Sequence, residues 1–256
     1  MNAEELKRYS RQIKLPEVGE HGQERLKQAS VLVVGAGGLG CPVTLYLAGA
    51  GVGRIGIVDN DTVNISNLHR QVLFDTAAQG TAKVDAVGQR LTALQPGVTV
   101  DRHNVRLSAE NAMDIIKPYD IVVDGTDNFA TRYLVNDACV FLKKPNVYGS
   151  VLRFEGQNSL FCTADGPCYR CMYPEPPAPG DVPSCAEGGV LGVLPGMIGM
   201  IQATETIKLI LGISDTLAGR LLFLDAISMR WWEVRLKKNP DCPVCGAHPT
   251  IRKLED

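Results

Sequence analysis

The chain has no excess of either charge: 26 Lys and Arg stand against 28 Asp and Glu, a formal net charge of −2 over 256 residues. That balance argues against a polyanion partner and against a nucleic-acid reader. The chain also has no uninterrupted apolar run of membrane-spanning length. Its most apolar stretch, 188–212, contains Pro195, Gln202, Glu205 and Lys208, and reads as a buried helix. The opening residues, Met-Asn-Ala-Glu-Glu-Leu-Lys-Arg, hold no signal-peptide core, so a cytoplasmic setting is expected. Histidines are few and scattered, at 21, 69, 103 and 248, without a spacing partner for a metal or a triad. No G-x-x-x-x-G-K-[S/T] loop is present, which argues against a P-loop ATPase, and there is no internal repeat.

What is present centres on Val31-Leu-Val-Val-Gly-Ala-Gly-Gly-Leu-Gly40. Four apolar, mostly β-branched residues read as a buried parallel strand, and Gly35, Gly37 and Gly40 complete G-x-G-x-x-G. Glycines there allow a tight turn and let a phosphate approach the backbone, while the helix from Cys41 to about Ala50 aims free N–H groups at it. A second apolar strand, Arg54-Ile-Gly-Ile-Val-Asp59, ends in an acid at the distance from the turn at which a ribose hydroxyl is bound. Nucleotide binding is the reading. The bland alternative is a glycine-rich turn in an ordinary α/β core.

Strand and helix patterns alternate along the chain, with helices expected at 3–13, 22–29, 83–94, 108–116 (Ser108 as N-cap), 129–142 and 194–211. Strands are expected at 98–102, 119–124, 145–149 and 154–161, and a hairpin from 221–225 and 229–236. Trp231 and Trp232 fall in that hairpin and read as packing residues. The predicted fold is α/β: a Rossmann-like doubly wound sheet, its parallel nucleotide-binding half (30–150) continued by an antiparallel extension. All 256 residues are expected to form one domain, with N-terminal helices over 1–29 and a crossover loop over 173–190. Within that loop, Pro174-Glu-Pro-Pro-Ala-Pro-Gly-Asp-Val-Pro183 is too proline-rich for regular structure.

Side chains after Asp59 separate this chain from an NAD-dependent dehydrogenase. Asn67, Arg70 and Gln71 follow within one loop, and Lys83 opens the next helix. A pyrophosphate in a dinucleotide site is met largely by backbone amides. A triphosphate under attack gathers charge on its leaving group, which placed Arg and Lys stabilise. Asp127, after the strand ending at Asp124, is a candidate Mg²⁺ ligand and equally a candidate helix N-cap.

Cys168-Tyr-Arg-Cys171 and Cys242-Pro-Val-Cys245 are two C-x-x-C pairs, which together suit one structural Zn²⁺ that staples the tail to the domain. A redox dithiol or uncoordinated thiols are the alternatives. Cys41, Cys139 and Cys162 lie in or beside apolar segments and read as small core residues.

Arg8-Tyr-Ser-Arg-Gln-Ile13, Gly35-Ala-Gly-Gly-Leu-Gly40, Asp59-Asn-Asp-Thr-Val63, Ser66-Asn-Leu-His-Arg-Gln71, Lys83 and Asp124-Gly-Thr-Asp-Asn128 together resemble the ThiF/MoeB/HesA family, bacterial relatives of the ubiquitin-activating enzymes. The resemblance covers essentially the whole chain and is closest to the MoeB-like branch. It implies an ATP-dependent adenylyltransferase that activates the C-terminal Gly-Gly carboxylate of a ubiquitin-like sulfur carrier, with release of pyrophosphate, ahead of thiocarboxylate formation. It implies a nucleotide site at Gly35, Gly37, Gly38 and Gly40, with Asp59 on the ribose and Asp61 beside it. Ser66, Asn67, Arg70 and Lys83 are implied at the phosphates and Asp127 at Mg²⁺, with Gln71 and Asn128 among the nucleotide-binding residues. Arg11 is implied to reach into the site of a partner subunit, which makes a homodimer necessary. In some relatives a cysteine at the place of Cys185, in Pro183-Ser-Cys-Ala-Glu-Gly-Gly189, bonds covalently to the carrier; in others adenylation suffices. No rhodanese-like extension follows Asp256 in this sequence, so sulfur is expected from a separate donor protein. Molybdopterin, thiazole, tRNA thiolation and cysteine biosynthesis all use such carriers. An NAD-dependent oxidoreductase leaves Arg11, Arg70 and Lys83 unexplained, and a non-catalytic binding module leaves the whole basic set unexplained.

Overall fold

Val31, Leu32, Val33 and Val34 are almost wholly buried, as expected of a strand covered on both faces. The structure is a computed structural model and describes residues 1–178, 180, 181 and 185–255, without the side chains of 185 and 186. In chain order the elements are α1 (Ala3–Arg8), α2 (Ser10–Ile13), α3 (Gly19–Gln28), β1 (Ser30–Val34), α4 (Gly40–Ala50) and β2 (Arg54–Val58). Then come α5 (Lys83–Leu94), β3 (Thr99–His103), α6 (Ala112–Ile116), β4 (Ile121–Asp124), α7 (Phe129–Leu142), β5 (Asn146–Leu152) and β6 (Glu155–Phe161). The chain closes with α8 (Tyr169–Met172), α9 (Cys185–Gly188), α10 (Leu194–Leu211), β7 (Arg220–Asp225) and β8 (Arg230–Arg235).

The strands form one sheet in the order β3-β2-β1-β4-β5-β6-β7-β8. From β3 to β5 neighbours run parallel, and from β5 onward antiparallel. The order therefore reverses at β1 and β4, the switch point beside whose carboxyl ends open α/β sheets bind ligands. β5 serves both regimes: Tyr148 lies opposite Asp124 on one edge and Ser159 on the other.

Alternation along the strands divides the core. Val31, Val33, Ile55 and Ile57 face a cluster containing Leu47 of α4, Val87 of α5 and Ile210 of α10. Leu32, Val34 and Val122 face the other, with Ile116 of α6 and Leu134 of α7. Among described residues, no helix is long and apolar enough to cross a membrane.

The elements differ from the expected ones at their edges. The helix expected over 3–13 is interrupted at Tyr9 (φ −95°, ψ 10°), whose buried ring packs where a side chain at Gly51 would otherwise sit. Ser108 is not an N-cap: α6 begins only at Ala112, and the Asn111 carboxamide turns back to accept from the Ser108 N–H at 2.9 Å. Phe154 belongs to a tight turn with Arg153 (φ 54°) rather than to a strand, so β5 runs on to Leu152.

Candidate functional site

The carboxyl ends of β1, β2 and β4 open into a cavity of about 770 Å³. Its floor is the glycine turn. Gly35 has φ +96°, and a methyl group on it would stand 2.8 Å from the Gly125 carbonyl oxygen; one on Gly40 would collide with the Gly35 carbonyl. These two glycines let β1, β4 and α4 close on one another. Gly40 does not line the cavity, whereas Gly35, Gly37 and Gly38 do. Gly38 lies against Pro195 at the start of α10, while a methyl on Gly37 would meet nothing closer than Gln71 Nε2 at 3.7 Å.

Acids and bases stand on the walls in fixed relation. Asp59 Oδ2 accepts from the Ala36 N–H and Oδ1 from the Asp61 N–H, both at 2.8 Å, so its carboxylate is oriented by two backbone segments. Lys83 is only 5% exposed; its Nζ donates to Asp61 Oδ2 at 2.8 Å and lies 4.0 Å from Asp59. Asn67, Arg70 and Gln71 line the same wall, with Arg70 Nη1 donating to the Ser66 carbonyl at 3.1 Å. The Gln71 side chain is buried, and its Oε1 has no hydrogen-bond partner. Ser66 itself stays outside the wall, its hydroxyl donating to Asn64 at 2.8 Å. At the tip of β4, Asn128 caps α7 by accepting from the Thr131 N–H at 2.9 Å. Asp127, which lines the cavity, is thus free of capping duty, and its exposed carboxylate makes no hydrogen bond or ion pair among the described residues. Arg11 lies on α2, outside the cavity of its own chain.

Two residues to which the sequence reading assigned no role lie deeper. Asp124 is fully buried; its Oδ1 accepts from the Thr126 N–H and hydroxyl, while Oδ2 makes no hydrogen bond and faces Arg132 Nε at 3.6 Å. Burial pushes the Asp124 carboxyl above the usual carboxylate range, although the Arg132 charge opposes this. Arg132 also lies over the rings of Phe129, Tyr148 and Tyr169, 5.1–5.9 Å from their centres. The sequence signal was an arginine in the first turn of a helix that follows a strand-ending acid. Tyr148 and Tyr169 carried no such signal, because the sheet brings them together from distant segments.

Cys168, Cys171, Cys242 and Cys245 place their sulfurs within 4.8 Å of one another, with a shortest separation of 3.4 Å. Four thiolates about 2.3 Å from a tetrahedral Zn²⁺ lie roughly 3.8 Å apart, so the donor set and spacing fit that ion. Cys41 and Cys139 are buried, and burial pushes the Cys41 thiol up to about 12 and the Cys139 thiol well above its usual value, consistent with inert core residues. Cys162 is half-buried beside the cluster. The Cys185 side chain lies outside the described residues, as do Pro179, Val182, Pro183 and Ser184 of the crossover loop. Trp232 stacks on Phe223 at 5.2 Å within the hairpin, as packing predicts, and Trp231 is 41% exposed.

Comparison with known proteins places these features in context. Residues 9–244 match the model of the ThiF family. A sulfur carrier protein adenylyltransferase of Thermus thermophilus is 55% identical over 99% of this chain and 95% of its own length. The adenylyltransferase and sulfurtransferase MOCS3 of Anopheles gambiae is 53% identical over 100% of this chain, which spans 58% of that longer protein. The probable adenylyltransferase/sulfurtransferase MoeZ of Mycobacterium tuberculosis is 52% identical over 95% of this chain and 63% of its own length. Among solved structures, E. coli MccB with ATP superposes with a TM-score of 0.80 at 23% identity, covering 93% of this chain and 74% of that one. That likeness establishes the fold.

Proposed function

This chain belongs to the ThiF family, and on that premise we propose how its residues carry out ATP-dependent adenylation of a ubiquitin-like sulfur carrier. The observation that carries the reading is the convergence of Asp59, Lys83, Arg70 and Asp127 on one cavity above the glycine turn. The carrier's C-terminal Gly-Gly carboxylate attacks the α-phosphate of ATP, its oxygen bonds to phosphorus, and the bond to pyrophosphate breaks. An acyl-adenylate remains, ready for a sulfur donor to convert to a thiocarboxylate. No general base is needed, because the attacking carboxylate is already an anion; the work is positioning and charge neutralisation.

Gly35, Gly37 and Gly38 leave room for the phosphates, and Asp59 accepts from the ribose hydroxyls. Asn67 and Arg70 bind phosphate oxygens, with Ser66, Gln71 and Asn128 shaping the surrounding loops. Lys83, paired with Asp61 at 2.8 Å, has three N–H groups and donates to the phosphates from that place. Asp127 is the oxygen ligand for Mg²⁺, which would neutralise phosphate charge when bound. The four cysteines would hold a structural Zn²⁺ through their thiolates, and its role there would be to tie the tail to the domain. The chain acts as one domain in the cytoplasm, as a homodimer in which Arg11 completes the partner's site. Cys185 is an optional covalent acceptor for the carrier, and a separate protein donates the sulfur.

The direct test is ATP–pyrophosphate exchange with Mg²⁺, run separately with each candidate Gly-Gly carrier. Exchange that depends on one carrier is expected; ATP binding without exchange by any carrier would favour a non-catalytic module, and NAD binding in place of ATP an oxidoreductase. For the shared site, Arg11→Ala and Arg70→Ala are each expected to lose exchange as intact dimers. Mixing the two should restore roughly a quarter of wild-type activity, because half the dimers are hybrids with one intact site. Full activity of Arg11→Ala alone would remove the dimer from the mechanism.

A further inference from the structure

The root of the crossover loop is Tyr173-Pro-Glu-Pro-Pro177. Three of these five residues are prolines, which have no N–H to donate, so the segment cannot be fastened by a ladder of its own donors. Its carbonyls are the available handles, and three in succession are taken. The Tyr133 hydroxyl donates to the Glu175 carbonyl at 2.6 Å and lies 3.1 Å from that of Tyr173. Arg170 Nη1 donates to the Pro174 carbonyl at 2.8 Å.

Both donors are themselves fixed. The Arg170 guanidinium forks onto Asp137, with Nε and Nη2 each 2.8 Å from a carboxylate oxygen, and it lies 4.5 Å from the centre of the Tyr133 ring. The neighbouring residue, Tyr169, donates its N–H to Asn136 Oδ1 at 2.7 Å. Tyr169 and Arg170 are the two residues between Cys168 and Cys171, so the cysteine cluster determines where both begin. Tyr173, Glu175 and Pro177 in turn line the cavity, with Tyr173 packed on Tyr169 and Tyr169 on Tyr148 of β5, three strands across the sheet from β2, which Asp59 follows.

We propose that Arg170 and Tyr133 are positioning residues that clasp the crossover root, and that through Arg170 the cysteine cluster shapes the carrier-tail end of the cavity while leaving the nucleotide end alone. The proposal rests on the adenylation reading for the identity of the tail. Neither residue touches the reacting atoms; each holds backbone that forms the wall along which a Gly-Gly tail reaches the α-phosphate.

The experiment compares wild type, Arg170→Ala, Arg170→Lys and Tyr133→Phe, each purified with its metal. The carrier that supports wild-type exchange is titrated for KM and kcat, ATP affinity is read by calorimetry, and zinc content is measured. The expected pattern is a carrier KM raised about tenfold in Arg170→Ala and about threefold in Tyr133→Phe, with ATP affinity within about twofold of wild type. Arg170→Lys keeps the charge but loses the fork and falls between wild type and alanine. Zinc content stays unchanged throughout. An unchanged carrier KM in both Arg170→Ala and Tyr133→Phe, or an ATP affinity that falls in step with it, overturns the proposal. Arg170→Ala leaves Asp137 unpaired and is the variant at risk of misfolding; Tyr133→Phe removes a single oxygen and decides the matter if it does. Independently of turnover, thermolysin cleavage between residues 174 and 190 should accelerate in both variants and in wild type stripped of metal. Absence of wild-type exchange together with accelerated cleavage would sink the adenylation reading while upholding the clasp; unchanged cleavage would sink the clasp.

Discussion

The two ends of the cavity are built by different means. At the Asp59 end, the connections that follow β1, β2 and β4 hold the functional groups: backbone N–H groups fix the Asp59 carboxylate, and two glycines let β1, β4 and α4 meet. At the Tyr173 end, long side chains reach across from α7 and from the cysteine knuckle to hold backbone that has few donors of its own. The first end is preorganised by main-chain geometry, which suits a ligand whose phosphates and ribose present the same groups at every turnover. The second depends on side-chain bonds and a four-sulfur cluster, which on the proposed reading suits the wall along which the carrier's tail runs. The two ends of one cavity are thus built from different materials.

The largest break in that comparison is expected at Lys83. Lys83→Ala should lower carrier-dependent exchange by about 10²–10³-fold while leaving zinc content and melting temperature nearly unchanged, because a preplaced cation opposite the developing charge is lost. Metal loss is the converse. Cys242→Ser, or chelation of wild type, should lower the melting temperature by about 10 °C in calorimetry while ATP affinity persists; loss of ATP binding would show that the two ends are not independent. Within the glycine turn, Gly40→Ala should cost about 3 kcal/mol of stability in a denaturant titration, since its methyl meets the Gly35 carbonyl. Gly37→Ala meets no protein atom closer than 3.7 Å, so it should leave stability intact and weaken ATP binding alone. The smallest change should come from Trp232→Ala, which removes the stack on Phe223 at about 1 kcal/mol and alters neither end.

The same contrast explains what could be read from the sequence. Lys83–Leu94, Phe129–Leu142 and Leu194–Leu211 have the bounds that periodicity predicts, and the parallel half follows from apolar runs and the glycine turn. Asp59 and Asp127 were legible because each stands just after a strand end, and Arg70 and Lys83 because they follow in the single connection that runs from β2 into α5. Tyr133, Asp137 and Arg170 were not, since their meeting depends on how α7 lies against the α8 knuckle, 33 residues apart for the Arg170–Asp137 pair. Asp124 was visible within the Asp124–Asn128 motif, but its buried pairing with Arg132 was not, because burial is a property of the folded sheet. The α6 boundary expected at Ser108 differs for a related reason: the Asn111 side chain, at the N-cap position of α6, bonds back to the turn before the helix.

One strand, β5, is paired in parallel to β4 on one edge and antiparallel to β6 on the other. In kinetic terms its two edges mature by different routes. The β5–β6 hairpin closes through a two-residue turn at Arg153 and Phe154, whereas β4 and β5 are joined by a crossover that contains the whole of α7. Short closures cost less entropy and come first, so in refolding β6 amides should gain protection in pulse-labelled hydrogen exchange before those of β4. The antiparallel side then acts as the template. Its register decides in advance that Tyr148 will lie opposite Asp124 when β4 docks, so that the younger edge of the sheet inherits its alignment from the older one.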